Sequence, residues 1–296
     1  MNFKRRMTMI AAAVMVAGLA AGCGSSSGED NATSIPTVET NATLNEKLPQ
    51  AIRDVGKLNV ATDATYPPMQ FFDTDGKTMI GFEIDMGNAL GDLLGVKMDW
   101  TNLSAASIPP GLEGGRFDLA LTSAQDLPER REVMTFVDYF KVGSSLLIEA
   151  GNPKDVADLK SMCGRPLGVQ AGTAQLMYLE DHTSDCPEGQ AIQIRTFPTN
   201  DAAVTSLRAG QVDAVFSQDN ANAHIVKQTS GQFEMLSDSY EPTPVGIVLK
   251  KGSPLTGVLH EAMSELVTTD TYSKIVEKWG LGNNVVDTVT INNGEA

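Results

Sequence analysis

Histidine and cysteine are scarce in this chain, with three of each in 296 residues. His182, His224 and His260 have no ligand spacing with a cysteine pair, so no metal site or cofactor is expected. The same scarcity leaves no recognisable Ser/His/Asp or Cys/His arrangement, and the chain is not expected to be an enzyme. Basic residues are also few: 22 Lys and Arg against 37 Asp and Glu give a formal net charge of −15. A chain this acidic repels phosphate backbones and anionic headgroups. That excludes nucleic-acid binding and membrane binding through a basic face. A long spanning run is missing too. The mostly apolar stretch over residues 7–22 is shorter than the roughly 20 residues a spanning helix needs.

What is there begins with an address. Lys4, Arg5 and Arg6 precede the apolar stretch, which ends in Leu19-Ala20-Ala21-Gly22-Cys23. This is the pattern of a lipoprotein signal peptide over residues 1–22, cleaved before Cys23, whose thiol would carry the lipid. A run rich in Ser, Thr, Asn and Gly follows to about residue 48, so residues 23–50 are expected to be a flexible tether. The body is then expected outside the cell membrane, held to its outer face by the lipid alone. Hydrophobic residues at 42% and charged residues at 20% make that body globular, with one large domain or two modest ones. With Cys23 lipidated, Cys163 and Cys186 remain. In an oxidising compartment a disulfide is the economical reading, and two buried thiols are the alternative.

Strand and helix signals alternate from Lys57 onward. Residues 58–62, 117–121, 167–170, 212–216 and 246–249 read as strands. Residues 83–94, 201–209 and 270–279 read as helices; Phe82, Met86, Leu90 and Leu93 recur at helical spacing in the first. This alternation argues for an α/β fold with mostly parallel sheets. Ligands in such sheets bind beyond the carboxyl ends of strands. Three strand ends here are polar: Asp63 with Tyr66; Thr122, Ser123 and Gln125; and Gly172-Thr173-Ala174-Gln175. Gly172-Thr173 before a helix is either a plain cap or a seat for a carboxylate.

Five segments, in order, resemble the polar-amino-acid class (family 3) of ABC-importer solute-binding proteins. They are Ala61-Thr62-Asp63-Ala64-Thr65-Tyr66-Pro67-Pro68; Gly81-Phe82-Glu83-Ile84-Asp85-Met86; Pro128-Glu129-Arg130-Arg131 with Phe136-Val137-Asp138-Tyr139-Phe140; Gly168-Val169-Gln170-Ala171-Gly172-Thr173; and Tyr272 through Gly280. The resemblance covers about residues 55–282. It implies a two-lobed type II periplasmic-binding-protein fold with two crossover strands at the hinge, near 139–143 and 241–245. Lobe 1 would comprise 51–141 and 244–296, and lobe 2 would comprise 142–243. The implied function is a monomeric receptor that captures an amino acid or a relative and delivers it to an ABC permease with its ATPase. A sensory binding protein without transport is a second reading. A small-acid dehydratase on the same fold is a third, drawing on Asp63, Glu83 or Asp219.

The resemblance also assigns site roles. Arg130 matches an arginine that clamps a ligand α-carboxylate bidentately, and its neighbour Arg131 is expected to matter little. Gly172 and Thr173 match the other half of that seat. Tyr66 matches an aromatic packed on the ligand side chain, and Ser123 a ligand contact. Asp63 is either an acid beside the ligand or a turn aspartate. Three positions depart from the pattern. Gln125 replaces a Ser or Thr, and Ala105 replaces a larger wall. Gln218 replaces the acid that holds the ligand ammonium, with Asp219 one residue later. The ligand is thus an amino acid held unusually, or a modified or larger relative.

Overall fold

The computed structural model describes residues 35–182 and 185–294. The leader, Cys23 and the tether up to residue 34 lie outside the described residues. The body opens with α1 (Ala42–Lys47), α2 (Gln50–Val55) and β1 (Lys57–Thr62). Then β2 (Thr65–Tyr66), β3 (Gln70–Phe72) and β4 (Met79–Ile80) form a small sheet of their own. Next come α3 (Phe82–Leu94), β5 (Lys97–Asn102), α4 (Ile108–Glu113), β6 (Leu119–Ala120) and the long β7 (Met134–Glu149). A second alternating stretch comprises β8 (Pro166–Gln170), α5 (Ala174–Asp181), β9 (Gln193–Phe197), α6 (Asn200–Arg208), β10 (Ala214–Gln218), α7 (Asp219–Gln228) and β11 (Phe233–Met235). The chain returns through β12 (Tyr240–Lys250) and finishes with α8 (Thr256–Leu266), α9 (Asp270–Trp279) and β13 (Val285–Ile291).

The main sheet runs β5-β1-β6-β12-β7-β10-β8-β9, with β11 and β13 also paired to β7. β1 is parallel to β5 and β6, and β8 is parallel to β9 and β10, as right-handed β–α–β units require. β7 joins the two parallel halves. Its Met134–Val142 half pairs with β12, and from Ser144 it pairs with β10. Gly143 sits at the change of partner. A Cβ there would lie 2.0 Å from Ser239 Oγ and 2.6 Å from Asp219 Oδ2, so a larger residue would have to displace that hydrogen-bonded pair. Separate hydrophobic clusters form on the two sides of this point. One gathers Phe82, Leu90, Tyr139, Ile247, Leu259 and Ile275; another gathers Leu146, Met162, Leu167 and Phe216. A disulfide joins Cys163 to Cys186, 23 residues apart, beside the second cluster. Closing a loop of that length contributes about 3 kcal/mol in the chain-entropy account.

Several sequence expectations need correcting. The segment expected to stay free to about residue 48 is built into the body. Asn41 caps α1 through its side chain, its own N–H donates to Leu93 O at 2.8 Å, and Leu44 and Leu48 are buried against α3 and α8. Polar composition hid this, because two leucines at a spacing of four suffice once a preformed groove receives them. The strand expected over 117–121 narrows to Leu119–Ala120, and that expected over 212–216 begins two residues later. The late strand is longer than the expected 246–249. It takes in the crossover expected near 241–245, where Pro242 and Pro244 suit an extended chain and register shifts on both sides of Thr243–Val245 accommodate them.

One buried acid ties three of these elements together. Glu83, in the first turn of α3, is fully buried. Its carboxylate oxygens accept the Ser123 N–H at 2.8 and 2.9 Å, and the Tyr139 hydroxyl donates to Oε1. Burial pushes its pKa up to about 7, although both donors pull the other way.

Two predictions follow from the packing. Leu44→Ala should lower unfolding free energy by about 2–5 kcal/mol in urea titration, as for a core leucine; a change within about 0.5 kcal/mol would return the segment to the tether. Glu83 binds its proton more tightly in the folded chain than at its ordinary value of 4.5. The stability it contributes is therefore whole below about pH 4.5 and lost as the pH rises through about 7. The difference in unfolding free energy between wild type and Glu83→Gln should fall across that window. Parallel pH profiles would contradict the assignment.

Candidate ligand-binding site

The carboxyl ends of β1, β6, β8 and β10 converge, two from each side of the sheet. Between them lies a cavity of about 270 Å³. Asp63, Tyr66, Ser123, Gln125, Arg130, Gly172, Thr173 and Gln218 all line it, although residues 63 and 218 are far apart in sequence. Asp219 does not. It opens α7 facing away, and its Oδ2 accepts from Ser239 Oγ at 2.6 Å. The one-residue slip that would bring this acid to the cavity is not made, because β10 ends with the buried Gln218 turned inward.

Arg130 begins a short 3₁₀ turn over Arg130–Glu132. Nη1 donates to Gln125 O and Nη2 to Gly172 O, each at 3.1 Å. Both acceptors are neutral carbonyls, one on each wall. Burial pulls the guanidinium down to about 10, with Asp126 and Glu129 opposing the shift, and it stays charged at neutral pH. Arg131 has a different task. Its Nε bonds Asp126 Oδ1 at 2.7 Å, and that carboxylate is wholly buried. The neighbour expected to matter little therefore holds a buried charge, whose loss of partner would be costly.

Gly172 has φ of 79°, and a Cβ there would lie 2.8 Å from the Ala106 backbone. Glycine is needed twice over at this position, for the turn and for the approach of the opposite wall. Thr173 caps α5: Oγ1 accepts from Leu176 N at 3.3 Å and donates to Gln170 O at 2.8 Å. The hydroxyl is occupied as a cap, so what α5 offers the cavity is its positive end.

The remaining polar side chains bind one another across the cavity. Asp63 Oδ1 accepts from Thr65 Oγ1 at 2.8 Å; Oδ2 accepts from Ala105 N at 3.0 Å and Gln170 Nε2 at 2.6 Å. Burial raises its pKa while these donors lower it. Its bond to Thr65 is that of a turn aspartate, while its place in the cavity lining and its bond to Gln170 keep it beside the ligand space. Ser123 holds φ of 52°, a region few side chains adopt, under the grip of Glu83. Its Oγ donates to Gln218 Oε1 and its carbonyl accepts from Gln218 Nε2, both at 2.7 Å. Gln125 donates to Thr243 and accepts from Gln175 Nε2 at 2.7 Å. Tyr66 is buried; burial raises the pKa of its hydroxyl, while the nearby Gln218 backbone and Ser217 side chain pull it down. Sequence reasoning had no role for Gln170 or Gln175. Gln170 ends the strand expected over 167–170 and Gln175 lies in the polar stretch after it, which was the available signal.

The rest of the wall is apolar and includes Ile108, Pro109, Met134, Phe136, Leu176 and Val248. Ala105 lines it as well, leaving room where a larger side chain would stand.

Comparison with known proteins gives this geometry a family. Over 248 residues the chain is 28% identical to the arginine-binding protein ArgT of Corynebacterium glutamicum, covering 83% of this chain and 81% of the relative. It is 25% identical to the L-cystine-binding protein TcyJ of Escherichia coli strain K12, covering 79% and 86%. Among solved structures, an ancestral arginine-binding protein bound to arginine superposes with a TM-score of 0.70 at 29% identity, covering 76% of this chain and 98% of that one. The ancestral amino acid-binding protein AncCDT-1, a precursor of cyclohexadienyl dehydratase, superposes at 0.68 with 27% identity, covering 80% and 99%. The fold is thus the two-lobed type II periplasmic-binding-protein fold. The family model matched over residues 58–282 makes the chain a member of the bacterial extracellular solute-binding proteins, family 3.

Proposed function

We propose that the chain is an extracytoplasmic, lipid-anchored receptor of an ABC importer. Its two lobes close on an amino acid or amino-acid-like compound and deliver it to the permease and its ATPase. Lobe 1 would be residues 51–141 and 244–296, extended by the packed segment from Asn41, and lobe 2 residues 142–243. The switch of partners along β7 and the separate hydrophobic clusters support that division. The charged n-region before Leu19-Ala20-Ala21-Gly22-Cys23 supports the anchor. One chain supplies both walls of the cavity, which supports action as a monomer. The arginine-, cystine- and histidine-binding relatives support the ligand class and a binding rather than catalytic role.

One observation carries the reading: the Arg130 guanidinium lies in the cavity, bonded to two neutral carbonyls from opposite walls. A ligand carboxylate replacing or joining those carbonyls gains charge-assisted bonds, each contributing about 1.5–3 kcal/mol. The Gly172–Thr173 end of α5 would complete the seat. Tyr66, Ser123, Gln125 and Gln218 would flank the ligand. Asp63 would hold the wall in place.

The test is calorimetry with an amino-acid panel on wild type, Arg130→Ala and Arg130→Lys. Arg130→Ala should weaken binding at least about tenfold, which is about 1.4 kcal/mol, while still unfolding cooperatively. Arg130→Lys should recover only part, since a point charge lacks the planar fork. Unchanged affinity in Arg130→Ala would remove the carboxylate seat.

A further inference from the structure

Among the described residues lining the cavity, only Asp63 and Arg130 carry charge, and their charges are opposite. Three other acids are engaged elsewhere and do not line it: Glu83 with Ser123 and Tyr139, Asp126 with Arg131, and Asp219 with Ser239. Asp63 is therefore the anion that a ligand cation would meet. Its hydrogen-bond partners are neutral donors: the Thr65 hydroxyl, the Ala105 N–H and the Gln170 amide. Three such bonds leave a carboxylate room for about one more. Gln170 adds a second acceptor. Its side chain lines the cavity, is 2% exposed, and donates from Nε2 to Asp63 Oδ2 at 2.6 Å. The carbonyl of that same amide, Oε1, is buried and accepts no hydrogen bond from the described residues. A buried acceptor left unpaired costs free energy that a ligand donor would recover.

An acid from one wall and an unpaired carbonyl from the other suit an ammonium group, which brings three N–H donors and a full positive charge. Arg130, bonded to Gln125 O and Gly172 O, is left for the carboxylate. Those two seats use both charges of the cavity. A charged ligand side chain would bring a third charge with no partner, and burying it so is costly. The remaining wall, formed by Ile108, Pro109, Met134, Phe136, Leu176 and Val248, suits an uncharged side chain. We infer that Asp63 and Gln170 together seat the α-ammonium group of the ligand, and that the cleft selects α-amino acids of no net charge. This rests on the reading of Arg130 as a carboxylate seat.

The test is calorimetry on the mature protein with matched pairs, L-leucine with 4-methylpentanoate and L-phenylalanine with 3-phenylpropanoate. L-arginine and L-glutamate serve as charged probes. In wild type, the amino acid of a pair that binds should bind at least about tenfold tighter than its deaminated acid. That ratio should fall at least about threefold in Asp63→Asn and in Gln170→Leu. Both members of a pair meet the same altered wall, so the ratio separates the ammonium seat from general damage to the site. Each charged probe should bind at least about tenfold more weakly than the better neutral amino acid. A smaller ratio in wild type, a ratio that survives either variant, or a charged probe above that limit overturns the inference. The receptor reading stands in those cases if Arg130→Ala still weakens binding. Should either variant fail to fold, the wild-type ratios and the charged probes decide. If none of the six compounds binds, or if Arg130→Ala leaves their binding unchanged, the carboxylate seat fails and this inference fails with it.

Discussion

Everything in the cleft depends on β7 running through both parallel halves of the main sheet. Residues Met134–Glu149 form one strand, buried along almost its whole length, that pairs with β12 and β13 at one end and with β10 and β11 at the other. The parallel halves therefore meet edge to edge, with their strand ends facing a common gap. Ser123 can then meet Gln218, and Asp63 can meet Gln170, across sequence separations of 95 and 107 residues. Loop-closure cost rises only slowly with such separations.

The cavity is held shut by side-chain amides, with Arg130 bonding Gly172 O and the Asp63 carboxylate holding Gln170. Four glutamines, at 125, 170, 175 and 218, make or receive bonds that span the two walls. Exchange of such bonds for water changes free energy little per bond, so the clasp favours closure without locking it. Adjacent arginines divide the work: Arg131 neutralises buried Asp126, and Arg130 is left to the cavity. Glu83 works from behind the wall, fixing the Ser123 backbone in a conformation it would not choose alone.

Much of this was legible in the sequence. The alternation of strand and helix signals gave the architecture, and the strand ends at Asp63, Ser123 and Gly172 marked the cavity because parallel sheets place ligands there. Arg130 came only from the resemblance, since no spacing rule separates it from Arg131. The two diverge through their partners: Arg131 takes Asp126, five residues before it, and Arg130 reaches the distant Gly172 carbonyl. Asp219 was an open alternative because sequence cannot say which of two adjacent residues at a strand–helix junction turns inward. The orientation of β10, set by its pairing with β7, decided it. The packed segment at Leu44 and Leu48 escaped because its signal is two apolar residues in a polar run.

The central claim is that the lobes move about β7 and β12 and that Arg130 couples that motion to a ligand carboxylate. Spin labels at exposed positions on opposite sides, introduced as Lys77→Cys and Lys227→Cys, would report it through their distance distribution. The probes are the compounds of the amino-acid panel that bind in calorimetry. The account predicts that a compound that binds shortens and sharpens the distribution in wild type, and leaves it broad in Arg130→Ala. A distribution that does not respond to a bound compound, or one that sharpens equally without Arg130, would contradict it.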